Sequence, residues 1–203
     1  GALVEPCGVA YNAIFVRSGG FRPGAYVTVY GAGPIGLAVI AECRAAGAAK
    51  IIVFEVSPSR LELAKKVGAD YAFNPQEVIP HQVVMELTEG QGADLHVEAT
   101  GKAYLTVPEM EKSLAINGKI CQIGRGATRV PMYLETLQVR RGQIFGSQGH
   151  SGDGIFPSVI RMMAAGLIDM TQIITARYPL ARVVDAIVQS RGRTDGKILV
   201  KPD

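Results

Sequence analysis

Hydrophobic and polar positions along the chain switch repeatedly between a period of two and a period near 3.6. Tyr26-Val-Thr-Val-Tyr30 is a short β-branched and aromatic run that breaks at Gly31 into a helical pattern from about Pro34 to Ala46. That helix is apolar nearly all round, as befits one buried against a sheet. A second strand, Ile51 to Glu55, leads into a helix that starts at Ser57-Pro58 and runs through Leu61, Leu63, Ala64 and Val67 to Gly68. Asp70 to Phe73 reads as a third strand closed by Asn74-Pro75. A helix at about His81 to Thr88 follows, then a fourth strand, Ala93 to Glu98. A helix at about Tyr104 to Ile116 leads through Asn117-Gly118 to the fifth strand, Lys119 to Ile123. After Val130-Pro131 and a short helical stretch comes a sixth strand around Gln143 to Phe145. This cadence predicts an α/β fold, a doubly wound six-stranded parallel sheet of the Rossmann type.

The two ends have a different grammar. Residues 1–21 carry an apolar helical pattern (Val9, Ala10, Ala13, Ile14, Val16) and stop at Gly19-Gly20. Beyond Gly146 comes a polar glycine-rich loop, then an amphipathic helix from Phe156-Pro157 to Ala165. A strand at Ile173 to Ala176, a helix around Leu180 to Ser190 and a strand at Ile198 to Val200 complete the chain. The expected division is therefore a nucleotide-binding domain over 22–146, flanked by pieces of an incomplete second domain at 1–21 and 147–203.

Composition narrows the classes. The chain has 203 residues, 48% of them hydrophobic, enough for a sizeable core. Its net charge of +3 is spread over interspersed acids and bases, so no nucleic-acid stripe and no membrane-facing basic helix is expected. No apolar run is long enough to span a bilayer. Cys7, Cys43 and Cys121 lack zinc-ligand spacing and fit reduced interior thiols in a cytoplasm.

Gly31-Ala-Gly33-Pro34-Ile35-Gly36 has the spacing of a dinucleotide cradle. Gly31 takes the tight turn, Gly33 lets backbone approach a pyrophosphate, and Gly36 allows helix to pack on strand. The helix that opens there offers amides and a positive dipole end to an anion. Glu55 ends the next strand, where a carboxylate accepts from adenosine-ribose hydroxyls and repels the extra phosphate of NADP, which favours NAD. The bland alternative is that Glu55 caps the following helix. Gly31, Glu55, Thr100, Gly124 and Gly146 all fall at carboxyl ends of strands, where such folds bind ligands. Among the histidines, His96 reads as a hydrogen-bonded core residue and His81 as a polar helix start. His150 sits in the glycine-rich loop, where imidazole can meet substrate hydroxyls or simply face water.

Ala2-Leu-Val-Glu-Pro6, the glycine fingerprint, Glu55 with Ser59-Arg60-Leu61, Gly68-Ala-Asp70, Glu98-Ala-Thr-Gly101 and Gly118 through Gly124 together resemble the zinc-dependent medium-chain dehydrogenases/reductases, the alcohol and polyol dehydrogenases. Leu-Val-Glu-Pro is similar to the sorbitol-dehydrogenase-like branch, and Gly146-Ser-Gln-Gly-His-Ser-Gly152 with Phe156-Pro157 to the scyllo-inosose and related polyol dehydrogenases. The resemblance implies a catalytic domain that precedes and follows the cofactor domain, with most zinc ligands and the proton relay upstream of Gly1. Glu5 matches the glutamate that stands at the metal, directly or through water. Gly31, Gly33, Pro34, Ile35, Gly36, Glu55, Arg60, Thr100, Gly101, Ile123, Gly124, Gly146 and Lys197 are the positions implied for the cofactor, with Glu5 and His150 toward the substrate.

The expected function is thus the NAD-binding portion of a zinc-dependent oxidoreductase that moves hydride between NAD and a secondary alcohol, a polyol or cyclitol. One carboxylate cannot hold zinc, so this chain alone is expected to bind dinucleotide without catalysis. The alternatives are a stand-alone dinucleotide-binding module and a zinc-free quinone-reductase-like enzyme using NADPH. The uncovered sixth strand predicts a homodimer or homotetramer by edge pairing.

Overall fold

The structure, a computed structural model, describes residues 1–150 and 152–202; Ser151, within the glycine-rich loop motif, and the terminal Asp203 lie outside the described residues. A helix, α1 (Val4–Tyr11), continues into a π-helical turn, Asn12–Arg17. Strands and helices then alternate: β1 (Tyr26–Tyr30), α2 (Pro34–Ala45), β2 (Lys50–Phe54), α3 (Pro58–Lys66), β3 (Tyr71–Phe73), α4 (Pro80–Leu87) and β4 (Ala93–Glu98). The second half adds α5 (Ala103–Lys112), β5 (Leu114–Gln122), α6 (Leu134–Arg140) and β6 (Gln143–Gly146).

The six strands form one parallel sheet in the order β3-β2-β1-β4-β5-β6. This is the doubly wound arrangement expected from the alternation. The order reverses between β1 and β4, so the helices on either side diverge there and leave a crevice at the carboxyl ends of the strands. One face packs Val27, Val29, Leu37, Ile40, Val53 and Val97 with Cys7, Ala10 and Ile14 of the first helical segment. The other packs Tyr30, Ile52, Phe54, Val84, Met110 and Leu114, with the Tyr30 and Phe54 rings 4.8 Å apart.

His96 is a core residue, as the strand alternation implied. Its Nδ1 lies 2.6 Å from the Thr28 hydroxyl and its Nε2 3.2 Å from the Ser113 carbonyl. Burial lowers its pKa to about 4, which keeps the ring neutral.

One boundary differs from expectation. The helix read as Tyr104 to Ile116 stops at Lys112, and β5 begins at Leu114. The Leu-Ala-Ile run fits either period, and tertiary pairing decides it. Leu114 pairs with Ala93, the register then shifts, and Lys119 pairs with Leu95. Asn117 at φ 61° and Gly118 form the irregularity inside one strand rather than a turn between two elements.

After β6 come α7 (Ile155–Ala164), β7 (Ile174–Pro179), α8 (Val183–Ser190) and β8 (Lys197–Lys201), with β7 and β8 paired parallel in their own two-stranded sheet. Among the described residues no helix is long and apolar enough to cross a membrane.

Candidate dinucleotide site

The three glycines of the loop after β1 are not equivalent. Gly31 has φ 95°, and a methyl there would lie 2.9 Å from Thr100 Cγ2 and 3.2 Å from the Ala99 carbonyl. At Gly36 a methyl would sit 1.9 Å from the Gly31 carbonyl oxygen. Both are required by close backbone approach. Gly33 is different: the nearest atom to an added methyl would be Arg60 Nη1, at 3.9 Å. The space over Gly33 is open, and it faces the start of α2. Gly33 is the N-cap there, Pro34 occupies the first turn and no side chain caps the helix. Leu37 N–H donates to the Gly33 carbonyl, which leaves the preceding amides of Ile35 and Gly36 at the helix end for an external acceptor.

Glu55, only 8% exposed, follows β2 directly. Its Oε2 accepts from Ala32 N–H at 2.8 Å, and its Oε1 accepts from Val56 and Ser57 N–H at 2.8 and 3.0 Å. The carboxylate therefore ties the glycine turn to the start of α3. Its bonds go to the two residues before Pro58 and not to the first-turn amides of α3, so it holds the turn in place and does not cap the helix. Arg60 donates through Nε to the Asp195 carbonyl at 2.9 Å, while Ser59 donates to the Thr194 carbonyl at 2.7 Å. Burial pulls the Arg60 pKa down, with the Glu55 charge opposing.

A second wall is organised by Glu98, a fully buried carboxylate ending β4. It accepts from the backbone N–H of Thr100 and Gly101 at 3.0 and 3.2 Å, from Gln122 Nε2 at 2.9 Å and from the Thr100 hydroxyl. A methyl on Gly124 would lie 2.3 Å from Glu98 Oε2, so this wall has no room for side chains. Glu98 and Gln122 did not figure among the expected site residues. An acid interrupting the apolar strand Leu95-His-Val-Glu98 was the available signal.

Against the second wall lies a cleft of about 650 Å³, lined by Ile35, Thr100, Gly101, Ile123, Gly124 and Gly146 together with Val9, Gln122, Arg125, Ser147 and Gln148. Six of the expected cofactor positions thus share one cavity. Gly31, Gly33, Pro34, Gly36, Glu55, Arg60 and Lys197 are not among its lining residues, and Lys197 begins β8, opposite Ile174.

At the cleft's outer end His150 Nε2 stands 3.9 Å from Glu5 Oε1, although 145 positions separate them in sequence. The imidazole packs edge-on against Phe156, with centroids 5.4 Å apart. Cys7 is fully buried, and burial pushes its thiol up to about 12, with the Glu42 and Glu5 charges adding to the effect. Among the described residues no group of three or more His, Cys, Asp or Glu side chains could hold a metal ion. Glu5 and His150 supply two donors where a catalytic zinc takes three protein ligands, so the residues present do not fit that ion by themselves.

Residues 34–165 match the zinc-binding dehydrogenase family. The chain belongs to that family. It is 45% identical over 205 aligned residues to scyllo-inosose 3-dehydrogenase of Thermotoga maritima, covering 99% of this chain and 51% of that protein. It is 30% identical to rat (Rattus norvegicus) sorbitol dehydrogenase, over 100% of this chain and 56% of that one. Among solved structures, 2R,3R-butanediol dehydrogenase from Bacillus subtilis superposes with a TM-score of 0.89 at 28% identity, covering 100% of this chain and 57% of the other. The chain spans about half the length of the curated relatives it matches. For a zinc-binding dehydrogenase, the crevice described above is built from the matched segment: α2 through β6 carry every lining residue except Val9 and those beyond Gly146.

Proposed function

We propose that this chain is the NAD-binding portion of an oxidoreductase that moves hydride between NAD and a secondary hydroxyl of a polyol or cyclitol. The observation that carries the reading is the open space over Gly33, bounded by uncapped α2 amides and by Glu55. A pyrophosphate fits there because its oxygens can accept from the Ile35 and Gly36 amides without meeting a Cβ. Glu55 offers its remaining lone pairs to the adenosine-ribose hydroxyls, and Arg60 borders the phosphates. Thr100, Gly101, Ile123, Gly124 and Gly146 border the nicotinamide end, where the main chain supplies the contacts.

When bound, NAD supplies the hydride acceptor. The chain's own residues orient it and present Glu5 and His150 toward a substrate hydroxyl. A 2′-phosphate would meet the Glu55 carboxylate, which weighs against the NADPH-dependent quinone-reductase alternative. The scyllo-inosose and sorbitol names of the relatives support a polyol-type substrate for the whole protein. On this reading the chain alone binds dinucleotide without turning over alcohol.

The division into 22–146 and two flanking segments is part of the same proposal, supported by the separate β7–β8 sheet and by the meeting of Glu5 with His150. A homodimer or homotetramer through the edge strand β6 is supported by Ile144, Leu134 and Val139, which are 42%, 71% and 63% exposed. Three buried free cysteines support a cytoplasmic setting.

Isothermal titration with NADH and NADPH tests the reading. It expects one NADH per chain and at least about tenfold weaker NADPH, from one repulsive contact of about 1.4 kcal/mol. Equal affinity for both, or heat from neither, would contradict it.

A further inference from the structure

Asn12 is a polar residue in an apolar helical pattern, placed where α1 gives way to the π-helical turn, and only 2% exposed. Asparagine is a poor helix former because its side chain competes for backbone groups, so its position inside a continuous helix calls for a use elsewhere. That use is visible. Nδ2 donates to the Gly149 carbonyl at 2.9 Å and to the Gln148 carbonyl at 3.2 Å, with Ser147 Oγ at 3.5 Å. The amide orientation is fixed by these acceptors, since the flipped form would press its oxygen against two carbonyl oxygens. The Oδ1 atom is buried without a partner, a desolvation cost that the two long-range bonds offset.

The geometry points to Asn12 as the positioning residue of the cleft's outer wall. Ser147, Gln148 and Gly149 line the cavity, and none of them belongs to a helix or strand. Ser147 N–H is held by the Gln122 carbonyl at 2.9 Å, which fixes the start of the segment. Its far end is fixed by packing: a methyl on Gly8 would lie 2.6 Å from the Phe156 ring and 3.3 Å from His150 Cβ. Asn12 closes the span between these two anchors. Glu5, Val9 and Asn12 recur at helical spacing, so one face of the first helical segment carries the acid, a cleft-lining side chain and the clasp. Through the clasp, Asn12 sets where Ser147 and Gln148 meet the nicotinamide end of a bound dinucleotide and where His150 stands relative to Glu5. It touches neither cofactor nor substrate. This inference rests on the NAD reading above and deepens it.

The two halves of the ligand separate a positioning role from a general loss of structure. ADP-ribose occupies only the Gly33 and Glu55 side, whereas NADH also fills the cleft bordered by 147–149. The same-sized Asn12→Asp removes the donor, and Asn12→Ala removes the contact. Titration of the full chain and both variants expects NADH affinity to fall about tenfold, the weight of two ordinary hydrogen bonds, with ADP-ribose affinity within twofold of the parent. Joint loss of both ligands, or no change in either, overturns the role. If the variants do not fold, amide hydrogen exchange in the unsubstituted chain decides. Exchange across 147–150 slows with NADH but not with ADP-ribose if the clasped segment meets the nicotinamide end, and equal slowing or none overturns it. A parent chain that binds neither ligand would instead remove the NAD reading itself.

Discussion

At the scale of single residues, the two glycines Gly33 and Gly36 make opposite predictions. Gly36→Ala drives a methyl to 1.9 Å from a carbonyl oxygen and should cost about 1–3 kcal/mol or more in urea unfolding. Gly33→Ala meets nothing closer than 3.9 Å, so stability should stay within about 0.5 kcal/mol while NADH affinity falls about tenfold or more. The fingerprint already expects Gly33 to face the ligand and Gly36 to allow packing; the positions of Gly31 and Arg60 around them add the distances. Glu55 was legible for a similar reason, since the end of a second strand is a fixed place in this architecture. Glu98 was not, because its role depends on Gln122 and Gly124 from the next strand, which no local pattern announces.

Glu42 is a further residue-scale case. It is fully buried on α2, neither carboxylate oxygen has a partner, and burial pushes its pKa well above the ordinary value of 4.5. The native state keeps the proton that the unfolded chain releases, so this group lowers stability as pH rises above 4.5. Glu42→Met should stabilise the chain by about 1–3 kcal/mol at neutral pH and flatten that decline, as read from urea midpoints across the range. His96 acts with the opposite sign. Its folded pKa is about 4 against an ordinary 6.5, so the unfolded chain takes up a proton first as pH falls through that window. Stability should then drop by roughly 3 kcal/mol, and His96→Gln should lose less on acidification than the parent.

Among the elements, the strands and helices of the nucleotide unit were readable from periodicity because parallel strands buried on both faces are short apolar runs between amphipathic or apolar helices. The β5 start was misread because Leu114-Ala-Ile116 has no period of its own and is recruited by pairing with β4. The π-helical turn at Asn12–Arg17, which packs against β5 and β6, carried no sequence signal beyond a lone asparagine. The edge strand makes a prediction of its own. β6 has one neighbour, β5, and Ile144 is 42% exposed on it. Light scattering behind size exclusion should report a dimer or tetramer, and Ile144→Lys should shift it toward monomer. A monomeric parent chain would remove the edge-pairing proposal without touching the nucleotide site.

For the whole molecule, distant segments converge at one end of the sheet. Val9 from the first helical segment, Ile35 of α2, the turns after β4 and β5 and the loop after β6 line one cleft, and Glu5 meets His150 one residue beyond its lining. The convergence follows from the strand-order reversal between β1 and β4, which opens the sheet's carboxyl end to a ligand long enough to cross both halves. The strand ends that carry these turns are legible one by one from periodicity. The meeting of Glu5 with His150 is not, because it depends on how the terminal segments fold back over the sheet.

The most direct test is a crystal structure of the chain grown with saturating NADH. The account predicts the pyrophosphate over Gly33 against the Ile35 and Gly36 amides, the adenosine ribose on Glu55, and the nicotinamide beside Gly124 and Gly146. NADH bound elsewhere on the molecule, or no nucleotide at the carboxyl ends of the strands under saturating conditions, would contradict it.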